Sequence, residues 1–203
     1  MAGQPDKLDF RSDTFRPYAT AIGEMALAWN DLHETLKGLF WASSGIPNGI
    51  IAYSIWYSSK SDRAQRDMLR ALAATKALGN AIPHNIKPEI IWLVGQVDKL
   101  EDFRNDVLHS PFLISDGETV SPSWQSGHRR AKKLADKNLL KEIDWFYDAS
   151  LVIRDYAWEL DRAIRVHPEP LPKRPKLRNR GETSGRKSRR PNSPTERSRT
   201  HQR

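Results

Sequence analysis

The chain has 203 residues, no cysteine and a formal net charge of +8. That length accommodates one domain of roughly 160 residues, with a sizeable core, and a tail. Without cysteine there is no disulfide, no thiolate metal site and no cysteine nucleophile, which fits a cytoplasmic setting. The first residues carry no apolar core, so no signal peptide is expected. The longest apolar stretch, Gly49 to Tyr57, falls far short of the ~18 residues that a membrane span requires. The positive charge is concentrated. Glu169 to Arg203 hold 12 Lys+Arg against 3 Asp+Glu, whereas the rest of the chain holds 21 against 22. The body is electrically balanced, and the basic character belongs to the tail.

Residues 1–16 are polar and read as a flexible N-terminus. Pro17 suits a first helical turn. Ile22, Met25, Trp29, Leu32, Leu36 and Leu39 then recur at steps of three and four, which predicts a helix over about 17–43. Residues 50–57 are apolar and aromatic, and their neighbours favour a short helix. Ser59 or Ser61 caps the next one, which is expected to reach about Leu78 with Ala64, Met68, Leu69 and Leu72 inward and Gly79-Asn80 at its end. A third long helix runs from about Ile86 to His109. Its stripe is Ile90, Leu93, Val97, Leu100, Arg104 and Val107.

Phe112 to Val120 reads as a β-hairpin, with Asp116-Gly117 suited to a type I′ turn. Residues 121–136 are polar and basic and are expected to be a mobile connection with room for a helical turn. A last helix covers about Asn138 to Val166, with Trp145 and Trp158 off its main apolar face. Beyond Pro168 the chain is rich in Arg, Pro and Ser, with Leu171 and Leu177 its only aliphatic residues larger than alanine. Such a segment cannot offset its ordering entropy. The expected fold is all-α: an antiparallel bundle of four long helices plus a short one, with a small β-hairpin insertion after the third long helix and a disordered C-terminal tail. The domain spans 17–167 and the tail 168–203.

The chemistry concentrates at Leu100-Glu101-Asp102-Phe103-Arg104-Asn105-Asp106-Val107-Leu108-His109-Ser110-Pro111. Pro111 forces the helix to stop, so His109 lies at a helix C-terminus, where the macrodipole favours its charged form. Arg104 stands where the stripe calls for a hydrophobe. Either it pairs with a core carboxylate, or it lines a cleft or subunit interface and meets a phosphate. Histidine suits proton transfer near neutrality, and the planar arginine fork suits phosphate oxygens. Asp106, three residues from His109, is placed to hold the imidazole. A helix-ending histidine with an arginine one turn back is also a common structural arrangement. The six histidines show no metal-ligand spacing, and no glycine-rich phosphate loop is present. No metal or cofactor is expected.

This stretch resembles the Arg-x4-His motif of the HEPN superfamily, in which a polar residue often follows the arginine, as Asn105 does here. Arg162 and His167 repeat the spacing, but Ala163 follows that arginine and the copy runs out into the tail. The resemblance covers about residues 17–166, including Trp29-Asn30-Asp31-Leu32. It implies a helical, metal-independent endoribonuclease of toxin or phage-defence type, cleaving RNA by 2′-hydroxyl attack at a composite site of a homodimer. Arg104, Asn105 and His109 are the catalytic candidates, and Asp106 and Asp102 the supporting ones. The alternative is a non-catalytic helical protein of the same kind that binds a protein partner, such as an antitoxin, or binds nucleic acid through its tail. Lys173, Arg174, Arg178, Arg180, Arg186, Lys187, Arg189 and Arg190 are the expected nucleic-acid contacts there.

Overall fold

Pro17 sits in the first turn of α1, which runs over Arg16–Ser44 in the computed structural model. The structure describes residues 9–75, 82–115, 119–123, 127–166 and 170–180. Gly45 ends α1 at φ 69°, a left-handed conformation that glycine adopts without a Cβ penalty. Helix α2 covers Gly49–Ser58, and the Asn48 side chain accepts from the Ile50 N–H at 2.9 Å. Helix α3 covers Asp62–Ala74, and the Ser61 hydroxyl accepts from the Ala64 N–H at 3.2 Å. Both are N-caps of the expected chemistry. Helix α4 spans Lys87–Leu108 and stops at His109, two residues before Pro111. Strands β1, Phe112–Ser115, and β2, Thr119–Pro122, pair antiparallel in the register Phe112↔Pro122 to Ser115↔Thr119. Helices α5, Arg129–Leu134, and α6, Leu139–Val166, complete the order.

The fold is all-α apart from that hairpin. Side-chain pairings fix the helix directions. Trp29 meets Phe146 and Asp31 meets Arg154, so α1 and α6 run parallel. Trp92 meets Tyr156 and Phe103 meets Phe146, so α4 opposes α6. Arg66 reaches Asp98 and Arg104 approaches Asp62, so α4 opposes α3 too. The core fills the space between α1, α4 and α6 with Met25, Trp29, Leu36, Leu93, Val97, Phe103, Phe146, Ile153 and Leu160. No helix among the described residues is long and apolar enough to cross a membrane.

The bundle is all-α as expected but not antiparallel throughout, since α1 and α6 run in the same direction, and four further expectations change. First, α3 buries Gln65, Arg66, Leu69 and Ala73, while Ala64 is exposed and Met68 and Leu72 are half-buried. Its inward face is turned toward polar residues because α4 presents carboxylates to them. The expected Gly79-Asn80 cap lies outside the described residues, and α3 ends earlier, at Ala74. Second, residues 121–136 contain the end of β2, and the helical turn allowed for there is the six-residue α5, which buries Ala131 and Leu134. The Asp116-Gly117 turn itself lies outside the described residues.

Third, Phe15 is buried and packs against Phe10, Tyr18 and Phe112, so the start of the domain anchors the hairpin. Fourth, residues 170–180 belong to the body. After α6 the chain returns as an extended strap along the groove between α4 and α6. Arg174 pairs with Glu89 at the start of α4, and Arg180 stacks on Phe103 near its end. Leu171 and Leu177 pack against the core.

Candidate functional site

The C-terminal turns of α4 lie over α3 and the middle of α1. Trp29 is fully buried there, and its indole N–H donates to Asp62 at 2.7 Å. Two guanidinium groups face this indole: Arg66 at 5.6 Å and Arg104 at 5.2 Å from the ring centroid. Each gains cation–π attraction. Their charge environments differ sharply.

Arg66 is wholly buried and forms ion pairs with Asp98 at 2.8 Å and with Glu101. Arg70 shares Asp98, and Arg63 approaches Glu101 at 3.6 Å. A buried charge needs this degree of compensation. Among the described residues Arg104 pairs only with Asp62, at 3.9 Å, and that carboxylate already accepts the Trp29 N–H. Its Nη1 donates to Asn105 Oδ1 at 3.3 Å, and its Nε is buried without a hydrogen-bond partner. A quarter of the Arg104 side chain remains open to solvent. The core-carboxylate partnership weighed for Arg104 is realised most fully by Arg66, and Arg104 is left with the looser Asp62 contact and the Asn105 amide among the described residues.

His33 packs on the Trp29 ring, 4.6 Å between centroids, and lies beside Arg66. Its Nδ1 lies 3.3 Å from Gln65 Oε1 and its Nε2 lies 3.4 Å from Arg66 Nη1. Gln65 uses its amide N–H₂ on the Trp56 carbonyl, so Oε1 faces the imidazole. Arginine only donates. Nδ1 therefore carries the proton and Nε2 accepts. Burial pushes the imidazole down to about 4; Asp62 and Gln65 raise it, and Arg66 and Arg104 lower it. The ring is a neutral spacer at neutral pH.

The predicted motif is only partly brought together. Arg104 and Asn105 touch each other. His109 caps α4, its backbone N–H bonding to Asn105 O at 3.2 Å, and its side chain is exposed. On a regular helix Arg104 and His109 lie about 140° apart, and Asn105 and His109 about 40° apart. Helix α4 stays α-helical through Leu108, so a distorted last turn does not close the first gap. Asp106 does not hold the His109 ring: it is buried and taken up by Lys133 at 3.0 Å and Arg130 at 3.6 Å, both from α5. Asp102 is exposed and makes no ion pair among the described residues.

The tail candidates divide. Arg174 pairs with Glu89 at 2.7 Å and lies 5.4 Å from the Trp92 ring. Arg178 pairs with Asp148 at 3.1 Å, and its carbonyl accepts from the Trp145 N–H at 2.9 Å. Arg180 pairs with Glu142 and lies 4.7 Å from the Phe103 ring. These three arginines pair with carboxylates of the body. Lys173 is exposed. Arg186, Lys187, Arg189 and Arg190 lie outside the described residues.

Sequence reasoning missed Trp29, His33, Asp62 and Arg66, which come from two other helices. The one available signal was the polar run Asp62-Arg63-Ala64-Gln65-Arg66 at a helix start. Set against family models, curated proteins and solved structures, the chain matches none.

Proposed function

We propose that this chain is an HEPN-like, metal-independent endoribonuclease that works as a homodimer in the cytoplasm. Arg104 steadies charge on the scissile phosphate, Asn105 orients it, and His109 moves the proton of the 2′-hydroxyl or of the leaving oxygen. One observation supports this reading above the rest. Of two arginines facing one indole, Arg66 is neutralised by two carboxylates, and Arg104 has a single loose one. A fold that needed only structural cations would neutralise both. Arg104 is instead held by Trp29 and Asn105 with hydrogen-bonding capacity unspent. The toxin or phage-defence setting, with an antitoxin as partner, is the biological form of the same proposal.

The test is incubation of purified protein with mixed RNA in EDTA beside His109→Ala and Arg104→Ala. The proposal expects cleavage by the parent protein and loss of at least a hundredfold in both variants. Absence of cleavage by the parent under all salt conditions removes it. The second reading, a non-catalytic module that docks a protein partner, is favoured by one feature: Ile50, Ile51, Ile55 and Tyr57 of α2 are exposed together, more apolar surface than a short helix ordinarily leaves open.

A further inference from the structure

Helix α5 lies where the sequence promised a connection with room for a helical turn. It has the sequence Arg129-Arg130-Ala131-Lys132-Lys133-Leu134, and only Ala131 and Leu134 are buried. At 100° per residue the four cations occupy one outward arc of about 160°. Lys133 and Arg130 at one edge of that arc reach Asp106 of α4, which fixes the helix against the motif. Arg129 and Lys132 are exposed and make no ion pair among the described residues.

The helical positions around α4 show what this arrangement flanks. Taking Phe103 as zero, Arg104 lies at about 100°, Asn105 at 200°, His109 at 240° and Asp106 at 300°. The face carrying Asn105 and His109 is thus bordered by Arg104 on one side and by α5, held at Asp106, on the other. The described strap arginines do not supply this charge, because each is spent on a carboxylate. We infer that α5 is the phosphate-backbone grip for RNA lying across the Asn105–His109 face, with Arg129 and Lys132 as its contacts, while Arg130 and Lys133 hold the helix at Asp106.

RNA fits this arc better than a lipid surface does. A membrane-bound helix needs large apolar side chains on the face it inserts, and α5 turns its only sizeable one, Leu134, into the core. The inference rests on the proposed function for its choice of ligand, and its test does not depend on cleavage.

The experiment measures binding of a fluorescent single-stranded RNA by anisotropy across a salt series. It uses the full chain, with and without Arg129→Gln/Lys132→Gln, all on a His109→Ala background. The paired substitution is expected to weaken binding roughly tenfold at low salt and to flatten the slope of log affinity against log salt by about 1.4, the contribution of two phosphate contacts on a single strand. The melting temperature should stay fixed, because neither side chain has a partner to lose. Unchanged affinity and slope overturn the inference. So does unchanged RNA binding accompanied by lost binding to phosphatidylserine vesicles, which makes α5 a lipid contact. The expected fall in affinity, seen in a protein whose parent never cleaves RNA, leaves the grip standing and removes the nuclease reading alone.

Discussion

Arg66 and Arg104 share the Trp29 indole, yet substitution should separate them. Arg66→Ala leaves Asp98 and Glu101 short of a buried partner, with Arg70 and Arg63 compensating in part. The expected cost is about 3 kcal/mol, the lower end for a broken buried pair. Arg104→Ala removes one loose ion pair and a side chain that is a quarter open to solvent and should cost no more than about 1 kcal/mol. Urea midpoints of the two variants check this, and equal losses would make Arg104 a second structural cation. Arg104→Lys should restore little cleavage, since an ammonium lacks the planar fork. His33 adds a pH signature. Its folded value near 4 lies below the ordinary 6.5 because burial disfavours the imidazolium. The unfolded chain therefore binds the proton first. The contribution of His33 is fully present above pH 6.5 and is lost as pH falls toward 4, up to about 3 kcal/mol. His33→Gln should flatten the stability profile between pH 6.5 and 4, with any remaining slope below that window coming from carboxylates such as Glu89, which the Arg174 hydrogen bond holds low.

At the scale of elements, the strap is the part that composition misjudges. Its contacts are long-range: Arg174 to Glu89, Arg178 to Asp148, Trp145 N–H to the Arg178 carbonyl, and Leu171 and Leu177 onto the core. No local pattern announces them. Removal of residues 181–203 should leave the melting temperature unchanged. Removal of 170–203 should lower it by roughly 4–8 °C, which is about 2 kcal/mol for a domain of this size, most of it from the two leucines and the indole hydrogen bond. Equal melting temperatures for the two truncations would place the strap outside the cooperative unit. The same contrast explains what was legible. Helices α1, α4 and α6 each carry a long three-and-four stripe, and the bounds of α1 and the end of α4 follow from Pro17, Gly45 and Pro111. The facing of α3 was hidden because Gln65 and Arg66 point inward, and only the carboxylates of another helix make that tolerable. Helix α5 was hidden by its six-residue length and its cations. The helix stop at His109 revealed half of the candidate site. The half built by Trp29, His33 and Asp62 depends on packing between helices that no spacing encodes.

At the scale of the molecule, the angle between Arg104 and His109 is the governing fact. Helix α4 remains regular to Leu108, so one chain presents the arginine fork toward α1 and α3 and the imidazole toward solvent, about 140° around the axis. Two copies related by a twofold axis through the Asn105–His109 face would bring four such groups around one phosphate, and an isologous contact needs only that face to be self-complementary. The proposed function therefore requires a dimer of twice 23.3 kDa, which sedimentation at micromolar concentration should report. Mixing supplies the sharper test. Arg104→Ala and His109→Ala are each expected to be inactive alone. After co-refolding, random pairing makes about half of the dimers mixed, and each mixed dimer contains one intact arginine and one intact histidine on different chains. Cleavage should then reappear, at a fraction of the parent rate that follows the mixing ratio. Activity in a strict monomer, or no recovery in mixtures shown to exchange subunits, would confine the chemistry to one chain and break the composite site.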